Sequence, residues 1–220
     1  MTGYVFIPGA GGAGGYWSQV VARLRAAGHD AVAVDLPADN PTAGLYEYAE
    51  IVAARMRAGD VLVAQSMGGF TAPLVCEQVR PGALALVNAM VPARGETPGE
   101  WWGDVGSESA RVAAAEAGGY SVEFDVDTYF RQDVPDDVWN DLGPGRDEHD
   151  IAFATRCDFA AWPDVPTVVI AGADDRFFPV ELQRRVARER LGRDVEVLPG
   201  GHLIAMSHPD ELTARLLDLG

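Results

Sequence analysis

The chain contains no lysine: its 17 basic residues are all arginines, and 33 Asp and Glu leave a formal net charge of -16. A surface so short of positive charge offers no footprint for a phosphate backbone, so nucleic acid is not expected as a partner. Anionic membrane surfaces should repel it as well. Only two cysteines occur, Cys76 and Cys157, and neither belongs to a C-x-x-C pair. A zinc site or a disulfide framework is therefore not indicated, and both read as small, mostly buried hydrophobes. The opening stretch MTGYVFIPGAGG has no basic leader, and no apolar run is long enough to span a bilayer. Neither a secretory signal nor a membrane span is expected, and a cytoplasmic protein is the default. No metal and no cofactor is expected. The expected partner is a small-molecule substrate, and association into a homodimer is left open.

What is present is ordinary for a globular chain. Its 220 residues suit one α/β domain, with 48% hydrophobic and 23% charged residues. Strand-like apolar runs alternate with helical windows. Strands are expected at Tyr4–Pro8, Asp30–Pro37, Asp60–Ala64, Ala83–Ala89, Pro166–Gly172 and Asp194–Pro199. Helices are expected at Tyr16–Ala27, Leu45–Ala58, Gly68–Arg80, Val180–Leu191 and Pro209–Leu219, with Pro73 predicting a kink in the third. Strands that are nearly continuous apolar runs, separated by helices, indicate a doubly wound, mostly parallel six-stranded sheet with helices on both faces. One segment breaks the rhythm. From Thr97 to Asp150 there are 14 Asp and Glu against three Arg, together with seven aromatic residues. We read 97–161 as a small helical cap insertion on a core formed by 1–96 and 162–220.

The third strand runs straight into Gln65-Ser66-Met67-Gly68-Gly69. In a doubly wound sheet, chemistry gathers at the carboxyl ends of strands. A tight strand-to-helix turn crowds the backbone around Ser66, so residues two before and two after must be small; here they are Ala64 and Gly68. Such a turn pushes the hydroxyl out of the packed layers. It also places the Met67 amide at a helix N-terminus, where unpaired N–H groups favour a negative oxygen. A serine that merely caps a helix is the plainer alternative.

AQSMGG resembles the G-x-S-x-G nucleophile elbow of the α/β-hydrolases, with Ala64 in place of the first glycine. The resemblance covers Gly3 to Leu219, begins at the third strand of the family's full sheet, and looks most like its compact esterases and hydroxynitrile lyases. It implies a Ser-acid-His order along the chain. Of four histidines, His202 follows the sixth strand and Gly200-Gly201, on the edge of the sheet that carries Ser66. His29 reads as a solvated loop residue, His149 lies in the insertion, and His208 reads as part of the last helix cap. The acid follows the fifth strand, where Asp174 and Asp175 are neighbours. The family's usual spacing from Gly172 favours Asp175, leaving Asp174 to bond turn amides. Asn88, after the fourth strand, is discounted because an amide cannot stabilise imidazolium as a carboxylate does.

By the same resemblance, the Met67 and Ala10 amides form an oxyanion hole. Ala10 lies in the glycine loop Pro8–Gly15. Pro8 stands where the family usually has a loop-bracing histidine, so the bracing must differ here. Gly9–Gly14 also matches a dinucleotide fingerprint, with Asp35 as its acid, a reading that leaves Ser66, Asp175 and His202 unexplained. Tyr16, Trp17, Phe177 and Phe178 are the expected pocket residues. The expected activity is hydrolysis of a small, largely apolar ester. A lyase on the same triad and a non-catalytic small-molecule receptor are the alternatives. A pocket lysine accompanies some such lyases, and this chain has none, which favours the esterase.

Overall fold

The computed structural model describes residues 1–142 and 145–220. Six strands form one sheet: β1 (Gly3–Ile7), β2 (Asp30–Ala33), β3 (Val61–Gln65), β4 (Ala83–Val87), β5 (Thr167–Gly172) and β6 (Val195–Leu198). Their order is β2-β1-β3-β4-β5-β6. Every pairing is parallel, so the sheet is wholly rather than mostly parallel. Neighbouring residues of a strand point to opposite faces, and the core divides accordingly. Val5, Ile7, Leu62, Ala64, Leu84 and Leu86 face one cluster, while Tyr4, Phe6, Val61, Val63, Ala83 and Ala85 face the other.

The first face is covered by α2 (Leu45–Ala53), α3 (Gly68–Gln78) and later α8 (Val180–Leu191). The second is covered by α1 (Ser18–Ala26), preceded by a 3-10 turn at Gly14–Trp17, and by the last helix, α10 (Pro209–Leu217). Between β4 and β5 lie α4 (Pro98–Asp104), α5 (Ser107–Gly118), a π-helical turn at Asp127–Arg131, α6 (Asp136–Asp141) and α7 (Asp150–Ala154). A short α9 (Ile204–Ser207) precedes α10. No helix among the described residues is long and apolar enough to cross a membrane.

Several boundaries moved for local reasons. α2 stops at Ala53, five residues early, because tight bonds from Arg55 and Met56 wind the chain into turns and the Asp60 carboxylate takes the Arg57 amide. β2 ends at Ala33 because the chain then swings across, and the Leu36 amide donates to Gly12 O at 2.9 Å. α3 continues through Pro73. His29 is half-buried rather than solvated, edge-on to Tyr4 at 5.6 Å. His208 occupies the N-cap position of α10, but its side chain does not cap the helix. Its Nδ1 lies 3.1 Å from Ser207 Oγ instead.

The strand order turns back on itself beside β1. β2 lies on one side of β1 and β3 on the other, so the carboxyl ends of β1 and β3 flank the switch point where such sheets open a crevice. The glycine loop and Ser66 occupy those two ends.

Candidate active site

Ser66 leaves β3 with φ 49, a left-handed conformation that costs a non-glycine residue about 1–2 kcal/mol. The surrounding backbone holds it there: its carbonyl accepts the Gly69 amide at 3.0 Å and the Met90 amide at 2.9 Å. Space is as tight as the sequence spacing requires. A Cβ on Gly68 would lie 2.5 Å from Pro8 O, and one on Gly69 would collide with Met90 O. Ala64 is tolerated because it is a regular strand residue, paired with Ile7 and Leu86, and needs no positive φ.

The fold brings Ser66, His202 and Asp175 together. His202 Nε2 lies 3.2 Å from Ser66 Oγ, and its Nδ1 lies 2.9 Å from Asp175 Oδ2. All three residues are buried, at 9%, 2% and 5% exposure. The other Asp175 oxygen accepts the Phe177 and Phe178 amides, both at 2.9 Å. Those bonds fix the carboxylate plane, leaving Oδ2 for the imidazole. The turn amides therefore bind Asp175 itself, while the Asp174 side chain is exposed. Asp174 contributes its backbone, with its amide donating to Gly200 O. Gln65 Nε2 also approaches His202 Nε2, at 3.2 Å.

The glycine loop lies against the serine: a Cβ on Gly9 would come within 2.9 Å of Ser66 Cβ. Gly12 N–H donates to Gly9 O at 3.1 Å, closing a four-residue turn with Ala10 exposed at its second position. Met67 sits at the N-cap of α3 with its side chain in the core. Asp35, which a dinucleotide site would keep for a ribose, accepts the Gly14 amide of its own loop at 2.9 Å.

A sequence model described as the alpha/beta hydrolase family matches residues 4–216. The chain belongs to this family. Two curated rice proteins, both named probable esterase PIR7A, from Oryza sativa subspecies indica and japonica, are 34% identical over 110 residues. The match covers 44% of this chain and 42% of each rice protein, so the chain spans less than half the length of those relatives. Three solved structures share the fold. One is an extracellular alpha/beta-hydrolase from a Paenibacillus species (TM-score 0.75, 16% identity, covering 100% of this chain and 99% of that one). Another is a pyrethroid hydrolase from Sphingobium faniae JZ-2 (TM-score 0.74, 20% identity, 99% and 96%). The third is the methylesterase MES16 from Arabidopsis (TM-score 0.74, 19% identity, 99% and 98%).

In this α/β-hydrolase the expected pocket residues divide. Phe177 and Phe178 stand edge-on to the His202 ring, each at 5.1 Å. Trp17 does not reach the site: it is fully buried on the α1 face, its indole donating to Ile7 O at 3.2 Å, packed on Phe6 at 4.8 Å. Tyr16 belongs to the same cluster, and its buried hydroxyl accepts the Ala205 amide at 3.4 Å. Burial pushes its phenol far above the usual tyrosine range. Phe130, from the segment between β4 and β5 and not among the expected pocket residues, stacks on the imidazole at 5.1 Å and 21°. Phe124 packs on both Phe130 and Phe177.

Asn88, discounted as the acid, sends its side-chain hydrogen bonds to groups other than the imidazole ring. It is fully buried, with φ 44. Its Nδ2 donates to Gly201 O (3.0 Å) and His202 O (3.1 Å), and its Oδ1 accepts Gly172 N–H (2.8 Å) and Gln183 Nε2 (3.2 Å). Gln183 in turn reaches Asp175 Oδ2 at 3.3 Å. The signal for this hub was a single polar side chain ending an otherwise apolar strand.

Proposed function

We propose that the chain is a serine hydrolase that cleaves a small, largely apolar ester through a Ser66-His202-Asp175 triad. The observation that carries this reading is the single imidazole bridging a carboxylate and a serine hydroxyl over one edge of the sheet. Asp175 accepting from Nδ1 leaves Nε2 as the basic nitrogen. Nε2 takes the Ser66 proton as Oγ attacks the ester carbonyl, and Asp175 stabilises the resulting imidazolium. The Met67 and Ala10 amides receive the tetrahedral oxyanion, each worth about 3 kcal/mol of barrier. The protonated Nε2 then delivers its proton to the leaving alcohol. Water, deprotonated by the same nitrogen, releases the acid and restores Ser66.

Phe124, Phe130, Phe177 and Phe178 line the approach to the imidazole and favour an apolar acyl or alcohol group. The name of the partly matching rice proteins, probable esterase, supports ester chemistry. The test is a panel of nitrophenyl esters of varied acyl length together with a fluorophosphonate. Wild type should be labelled at Ser66 and turn over the esters, and Ser66→Ala should do neither. Labelling with no turnover on any ester would defeat the esterase reading, and cyanide release from a cyanohydrin would replace it with a lyase.

A further inference from the structure

The glycine loop lacks the bracing histidine, and another group occupies that role. Gly11, third in the turn Gly9–Gly12, has φ +83, the value of a type II turn. The type I form of such a turn differs chiefly in the orientation of its middle peptide, here Ala10–Gly11. Glu148 Oε2 accepts the Gly11 N–H at 2.9 Å, and its Oε1 accepts the Tyr48 hydroxyl at 2.5 Å. A carboxylate is an acceptor only, so the reversed peptide would set the Ala10 carbonyl against it, acceptor to acceptor. Arg146 grips the loop just beyond, donating to the Gly12 carbonyl of the Gly12–Ala13 peptide at 3.0 Å, and a Cβ on Gly11 would lie 2.7 Å from Arg146 O. The charged and titratable groups around this contact are Tyr48, Arg146, Asp35 beside Arg146, and Asp39 near Tyr48.

We propose that Glu148 is a positioning residue: reaching across from the segment between β4 and β5, it ties the Gly11 N–H to the Tyr48 hydroxyl of α2 and so anchors the glycine loop, with the preceding Gly9–Ala10 peptide whose N–H would meet the oxyanion, against the body of the domain. The inference rests on the hydrolase reading above. It makes loop geometry, and not substrate affinity, depend on a residue 137 positions away from Gly11.

The test compares Glu148→Ala with Glu148→Gln on a nitrophenyl ester. Glu148→Ala should lower kcat at least about tenfold, less than the 10²–10³-fold of deleting an oxyanion donor outright, with KM within about twofold. Glu148→Gln keeps an acceptor for the Gly11 N–H and supplies a donor to the Tyr48 oxygen, so kcat should return to within about threefold of wild type. A Glu148→Ala protein that melts with the wild type and keeps its kcat would overturn the brace. Turnover surviving in Ser66→Ala would instead sink the hydrolase reading. Should Glu148→Ala fail to fold, the wild type still decides. The Gly11 amide proton should be protected from exchange and its shift should follow one acidic titration absent from Glu148→Gln. Free exchange at Gly11 would refute the contact.

Discussion

Ser66 after β3 and Asn88 after β4 are the two non-glycine residues with positive φ among the described residues, at 49 and 44. The same backbone turn serves opposite ends. At Ser66 the elbow aims a hydroxyl outward at the imidazole, and backbone bonds from Gly69 and Met90 hold it. At Asn88 the turn swings an amide inward, where two donor and two acceptor bonds tie the loops carrying Asp175 and His202. Asparagine tolerates the left-handed region better than serine. The strained hydroxyl therefore stands at the chemistry, and the saturated amide stands behind it. One strand end carries the proposed nucleophile, and its neighbour ties together the loops that carry Asp175 and His202.

Removing the outward residue should have the largest effect. Ser66→Ala is expected to lower kcat by about 10⁶-fold while leaving Tm close to wild type, as measured by ester assay and calorimetry. A large loss of stability there would erase the contrast with Asn88. Next comes Asp175→Asn, which keeps the shape but imposes the wrong imidazole tautomer. It should cost about 10³–10⁴-fold in kcat.

Asn88→Ala should act through stability. It leaves Gly172 N–H and Gly201 O without partners in the interior and takes one of two donors from His202 O, and should cost about 2–4 kcal/mol in denaturant unfolding. Asn88→Gly loses the same bonds but relieves the left-handed backbone, so it should be more stable than Asn88→Ala by about 1 kcal/mol. Equal stabilities would mean that strain at β4 contributes nothing.

The smallest effect concerns pH. Burial raises the Glu148 carboxyl above its ordinary 4.5, outweighing its bonds from Tyr48 and Gly11 and the nearby Arg146 charge. A raised carboxyl prefers its proton in the fold. Its contribution is therefore full below 4.5 and is lost as pH rises through the raised value. Glu148→Gln carries no such titration. Its Tm relative to wild type should thus improve as pH rises across that range, and a pH-independent difference would contradict the shift.

The elbow was legible because its constraint is local. Ser66 fixes what Ala64, Gly68 and Gly69 can be, and those residues are its sequence neighbours. The six strands were legible because burial on both faces leaves continuous apolar runs. His202 and Asp175 followed from chain order and spacing after β6 and β5. Trp17 was expected in the pocket from its nearness to the glycine loop along the chain, and that nearness does not tell which face of the sheet buries a side chain. Phe130 was one aromatic among several in an acidic segment, and only packing sets its ring on the imidazole.

By itself the sequence determined the strand-helix alternation and the sharp turn at Ser66, since each follows from sterics or periodicity within a few residues, while the resemblance to the family supplied the order in which an acid and a histidine follow. Tertiary structure alone decided that Asn88 joins the acid and base loops, that Phe130 stacks on the imidazole, and that Glu148 meets Gly11. Those contacts join residues 72 to 137 positions apart. Contacts that distant are chosen by how whole layers pack, and no local pattern encodes that choice.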